Sequence, residues 1–127
     1  MNRNRFEKRW LQAYAADVSK EDIEKYVIAT GKYIWHVFSW NLLPKDSYLT
    51  GDSARAAYDV VDKTEAVCLK PFSQEGSRPL PKELTTAHAL DGLTEVYVVG
   101  KDYTWTYIKT HENDHCGPYF MEIKKTE

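Results

Sequence analysis

The chain has little net charge. Across 127 residues, 17 Lys and Arg face 19 Asp and Glu, which leaves −2 with neutral histidines. A general nucleic-acid binder draws its affinity from basic groups on phosphates, so nucleic acid is not the expected partner. There is no apolar run near the ~18 residues of a membrane span. The positively charged start, MNRNRFEKRW, is not followed by the apolar segment of a secretion signal, so a cytoplasmic protein is expected. Cysteine is scarce: Cys68 and Cys116 are too few for a disulfide scaffold, and in a reducing compartment both are expected as free thiols. None of the six glycines falls in a G-x-G-x-x-G, Walker or G-x-S-x-G pattern, so the usual nucleotide-binding loops and the serine-hydrolase elbow are missing.

What the chain does have is aromatic side chains. They make up 13% of it, including four Trp and nine Tyr. Rings of this size cover large areas, so such an excess points to aromatic-heavy packing or to a recognition surface. With 43% apolar residues and this length, one globular domain spanning 1–127 is expected.

The order of elements predicts an α+β fold. Phe6, Trp10, Leu11 and Tyr14 share a helix face. A second helix starts at Ser19, with Asp22 completing a capping-box-like pattern and Val18 and Ile23 at the staple positions. It ends near Gly31. Residues 33–40 are rich in β-branched and aromatic side chains and read as a strand covered on both faces. A third helix over 52–61 carries Ala54, Ala57, Tyr58 and Val61 as its stripe, and 66–70 reads as the next strand, completing a β-α-β unit. Residues 73–92, with SQEGSRPLPKEL at their start, read as a long loop.

The last third reads as an antiparallel meander: strands at 95–99, 103–108 and 119–124, with a turn at 100–102, for about five strands in all. Tyr103, Trp105 and Tyr107 alternate onto one face, expected to lie under the helices. Thr104 and Thr106 then face solvent. Gly51 and Asp52 open the third helix, whose N-terminus is able to hold an anion, although simple capping by Thr50 or Asp52 explains the residues as well.

One motif invites a catalytic reading. HENDH at 111–115 matches H-E-x-x-H, in which two histidines one helical turn apart share a zinc ion and the Glu activates water. That chemistry needs a helix. Here a strand pattern runs up to Ile108, Asn113 and Asp114 form loops, and Gly117-Pro118 follows at once, so a strand connection is expected and no cofactor is assigned. A looser metal site from His111, His115 and Cys116 remains the alternative. His36 sits in an aromatic segment and is expected to be buried and satisfied by Glu112 or a tyrosine hydroxyl.

Several short stretches agree, in order, with one family: Trp35-His36-Val37-Phe38-Ser39, then Gly51-Asp52-Ser53-Ala54-Arg55-Ala56-Ala57-Tyr58-Asp59, Thr110-His111-Glu112, and Gly117-Pro118-Tyr119-Phe120. In these the chain resembles a family of small bacterial proteins known only as a domain of unknown function. The resemblance implies a stand-alone cytosolic domain without an assigned activity. It draws Trp35, His36, Asp52, Arg55, His111, Glu112 and Tyr119 into one candidate binding region. With no complete catalytic constellation, the functional expectation is a non-catalytic domain that binds another protein, of the immunity or accessory type. The alternative is an enzyme or small-ligand-binding domain with a His/Glu cleft, assisted by a metal in one form of that reading.

Overall fold

The computed structural model describes residues 1–112 and 117–123. Helix α1 (Arg3–Tyr14) is capped by Asn2, whose side chain accepts the Arg5 amide at 2.9 Å. It buries Phe6, Trp10 and Tyr14, the face its spacing predicts. Helix α2 (Lys20–Ile23) starts at Ser19, whose hydroxyl oxygen accepts the Asp22 amide at 3.1 Å. It continues as a wider turn (Glu24–Ile28) in which Ala29 donates to the Glu24 carbonyl, five residues back. Gly31, at φ +109°, then reverses the chain in a conformation that a Cβ disfavours.

The strand expected at 33–40 is absent. Residues 33–39 close successive tight turns, His36 N to Tyr33 O at 3.0 Å and Phe38 N to Trp35 O at 3.0 Å, and then form the one-turn helix α3 (His36–Ser39). Ile34, Trp35, Val37 and Phe38 are all buried. The bulky composition reports burial, and an apolar run without a period does not separate a buried strand from a buried helical turn.

The strand that precedes the third helix is instead β1 (Leu49–Thr50). Thr50 takes the cap position of α4 (Gly51–Val60) without a side-chain capping bond, and β2 (Val67–Leu69) follows. Among the described residues the sheet has six strands in the order β1-β6-β5-β4-β2-β3, with β4 (Val96–Val99), β5 (Trp105–Lys109) and β6 (Tyr119–Glu122) as the predicted meander. Every pairing is antiparallel. Following the pairings across the sheet, β1 and β2 run in the same direction with three strands between them, so the β-α-β unit exists with its first strand at 49–50.

The 73–92 segment is built, not a plain loop. It contains β3 (Arg78–Pro79), which pairs with β2, a tight turn at Lys82–Leu84, and helix α5 (Ala87–Asp91). Pro79 is tolerated because β3 is an edge strand. Thr86 caps α5, and the Asp59 carboxylate accepts the Ala87 amide at 2.8 Å. These elements are too short to show a period, and the contacts that hold them come from elsewhere in the chain.

Both faces of the sheet are covered. Tyr97, Val99, Ile108 and Tyr119 pack under α1 and the 27–43 segment. Cys68, Val96, Val98, Trp105, Tyr107 and Phe120 pack under α4 and α5. Burial pushes the Cys68 thiol above its ordinary range, as expected for an inert core thiol. The expectation that Trp105 and Tyr107 are buried holds. Tyr103 leaves that stripe: it lies in the turn Lys101–Tyr103, with φ +57° and the Arg9 guanidinium 4.6 Å from its ring centroid.

The solvent-facing assignment of Thr106 is corrected as well. Thr106 is fully buried; it accepts the Trp10 indole N–H at 2.8 Å and donates to the Val98 carbonyl at 2.8 Å. Small polar side chains suit solvent, but this one is paired on both sides beneath α1, which offsets the cost of burying it.

Gly100 marks a close approach. A Cβ there would stand 2.1 Å from Trp105 Nε1, whose N–H donates to the Asp62 carbonyl at 3.1 Å. The indole is buried and rigid, so the strain has no cheap outlet. Gly100→Ala is expected to lower stability by about 1–3 kcal/mol, read as a drop in urea midpoint. An unchanged midpoint would show that Trp105 repacks freely.

Candidate functional site

Glu95 precedes β4 and lies two residues from Tyr97, so both side chains fall on the α1-side face. Its carboxylate is fully buried, yet four donors converge on it. Oε1 accepts the Trp35 indole N–H at 3.1 Å, the His111 amide at 3.0 Å and His111 Nδ1 at 2.7 Å. Oε2 accepts the Tyr97 hydroxyl at 2.7 Å. Burial, reinforced by the Glu95 charge, holds the Tyr97 hydroxyl well above its ordinary value, so it remains a donor. Glu7 lies in the same layer, paired with Arg3 at 3.1 Å; burial raises its carboxyl and Arg3 opposes that.

This hub fixes one tautomer. With Nδ1 donating to Glu95, the neutral His111 ring carries its lone pair on Nε2. The His111 side chain is 30% exposed. Around it stand Tyr33 at 5.0 Å, Phe72 at 5.5 Å and Trp35 at 5.7 Å between ring centroids.

His36 is part of the same group of rings. Its centroid is 4.6 Å from Trp35 and 5.5 Å from Tyr33. It is half-buried, and its partners are not those expected. Nδ1 meets the Tyr26 carbonyl at 2.9 Å and Thr30 Oγ1 at 2.7 Å, whereas Glu112 is exposed and donates its amide to Thr110 Oγ1 at 3.2 Å. The carbonyl only accepts, so Nδ1 of His36 carries the proton toward it and Nε2 is again the open position.

The rings continue over the surface. Trp40 lies 6.4 Å from His36 and 5.4 Å from Tyr26, and Phe72 lies 6.2 Å from Tyr33. Trp40 and Phe72 are 52% and 53% exposed, high values for side chains of this size.

Of the seven candidate residues, Trp35, His36 and His111 come together. Tyr119 lies in the same layer, stacked on Phe38 at 4.6 Å. Asp52 and Arg55 lie across the sheet on α4; Arg55 pairs with Asp91 of α5, which raises its guanidinium further. Glu112 does not complete a pair with either histidine: the carboxylate that meets His111 is Glu95. Sequence reasoning missed Glu95, Tyr33, Phe72 and Trp40. The signal for Glu95 was present, as a lone charge on the inward face of an otherwise apolar strand pattern.

His111 and Glu112 lie in a turn after β5, and the rest of the H-E-x-x-H motif, residues 113–115, lies outside the described residues. His115 and Cys116, the other members of the alternative metal site, lie outside the described residues. Among the described residues, no group of three His, Cys, Asp or Glu side chains is placed to hold a metal ion. Also among them, no helix is long and apolar enough to cross a membrane.

Residues 3–120 match the family described as Domain of unknown function (DUF4275). The chain belongs to this family. No curated protein and no solved structure matches it. Membership agrees with the resemblance carried by the 35–39, 51–59, 110–112 and 117–120 stretches, and it brings no assigned activity.

Proposed function

We propose that this DUF4275 domain is a binding domain without catalytic activity of its own. It docks another protein, in the manner of an immunity or accessory protein that covers a target surface. The observation that carries this reading is the aromatic–imidazole ridge from Trp40 and Tyr26 through His36 and Tyr33 to His111 and Phe72. Protein interfaces concentrate their binding energy in a few aromatic anchors, with Trp and Tyr enriched. Here the two most exposed rings bracket the ridge. The two imidazoles between them are held in place, His111 by Glu95 and His36 by the Tyr26 carbonyl, so less ordering entropy remains to be lost on docking. The near-neutral charge suits association driven by packing rather than by electrostatic steering.

Trp40→Ala and Phe72→Ala test the reading, because both side chains are half exposed and contribute little to the core. A partner captured from cells by the wild-type chain is expected to be bound at least ~30-fold more weakly by each variant, the loss of one ~2 kcal/mol anchor, with thermal midpoints unchanged. Equal retention by all three proteins, or no co-purifying species at all, would sink the reading.

A second reading is favoured by one specific contact, His111 Nδ1 on the buried Glu95 carboxylate: small-ligand binding, with His111 Nε2 placed for proton transfer.

A further inference from the structure

Beside the Glu95 hub lies an open cleft of about 250 Å³, walled by Lys70, Phe72, Ser73, Leu93, Thr94 and Glu95. Its chemistry is mixed in a specific way. Phe72 supplies a ring and Leu93 an aliphatic wall, while Ser73 and Thr94 supply hydroxyls. Lys70 brings one ammonium. A second comes from Lys109, whose Nζ donates to the Thr94 carbonyl at 3.2 Å. The one acid in the wall, Glu95, has its carboxylate occupied by Trp35, Tyr97 and His111. Those bonds leave the buried carboxylate its charge, but Lys70 in the wall and Lys109 beside it outnumber it, so the net charge around the cleft is positive, next to an aromatic face. The volume lies below the ~300–1,000 Å³ of pockets for drug-sized molecules, so the occupant has on the order of ten heavy atoms.

We propose that this cleft binds a small aromatic carboxylate, with its ring against Phe72 and Leu93 and its carboxylate on the Lys70 and Lys109 ammonium groups. The proposal deepens the small-ligand reading of the His111 region and does not depend on protein docking. Phe72 borders both surfaces, whereas Lys70 belongs to the cleft and Trp40 to the ridge.

The test is a titration of the ¹⁵N-labelled chain with benzoate, with benzamide as the neutral isostere and inorganic phosphate as the anion without a ring. Benzoate is expected to shift the amides of 70, 72–73 and 93–95 saturably. Benzamide and phosphate are expected to bind at least tenfold more weakly. Lys70→Glu is expected to weaken benzoate at least tenfold, and Trp40→Ala to leave it unchanged. Thr94→Trp, which fills the cleft from an exposed position, is a second variant in case Lys70→Glu does not fold, and it is expected to abolish the shifts. Equal binding of benzoate and benzamide, shifts confined to other surfaces, or full binding by a folded Lys70→Glu or Thr94→Trp protein would each overturn the assignment. If benzoate binds normally to a Trp40→Ala protein that has lost its protein partner, both readings stand. If Trp40→Ala keeps its partner while benzoate still binds, only the docking reading fails.

Discussion

Glu95→Leu is expected to cost about 3–5 kcal/mol of stability, the range for removing one side of a buried charged network. Two opposing effects decide the sign. Replacing a buried carboxylate by an apolar group relieves a desolvation penalty. However, the donors remain: the Trp35 indole N–H, the Tyr97 hydroxyl and the His111 amide all lose their acceptor. A buried donor left unmade costs about 1–3 kcal/mol, and three of them outweigh the relief. Glu95→Gln keeps an oxygen for Trp35 and His111 and presents an amide that can donate to the Tyr97 oxygen, so it is expected to cost far less. Urea unfolding monitored by tryptophan fluorescence, with the slope unchanged, measures both. A leucine variant within 1 kcal/mol of wild type would mean that the network is not what orders Trp35 and His111, and the preorganisation argument for the ridge would fall with it.

The second large effect is expected at Trp10. Its indole fills the interface between α1 and the sheet, 4.9 Å from the Tyr14 ring and 5.8 Å from Phe38. Trp10→Ala is expected to cost about 3–5 kcal/mol, from lost burial and the cavity left behind. Trp10→Phe separates packing from hydrogen bonding. It keeps most of the volume and removes only the N–H to Thr106, whose hydroxyl still donates to Val98. That variant is expected to lose about 1 kcal/mol. If phenylalanine proves as damaging as alanine, the hydrogen bond and not the packing anchors α1.

Local chemistry made parts of this fold legible in the sequence. Ser19 and Gly31 bound the second helical segment because capping and left-handed backbone are properties of single residues. The α4 stripe at Ala54 and Tyr58 was readable because it is periodic. Residues 33–40 misled because β-branched and aromatic side chains mark burial in any geometry, and Lys32 and Gly31, both at positive φ, turn the chain before a strand can form. Residues 73–92 misled because α5 rests on Asp59 and β3 on β2, neither of which a local pattern shows. The candidate site was half legible. Trp35, His36 and His111 were singled out, but the sequence offers Glu112 as the acid of the group and as a partner for His36, whereas the carboxylate among these rings is Glu95, sixteen residues before His111.

The Trp10–Thr106 contact also governs when the domain can close. Its two residues stand 96 positions apart. On a ribosome adding about 5–20 residues per second, α1 therefore waits several seconds or more for the strand it covers. During that interval Phe6, Trp10 and Tyr14 have no sheet to pack on. The nascent chain presents a three-ring amphipathic helix to whatever chaperone or neighbouring chain is nearby, and the domain cannot complete its core until nearly all of it has been made.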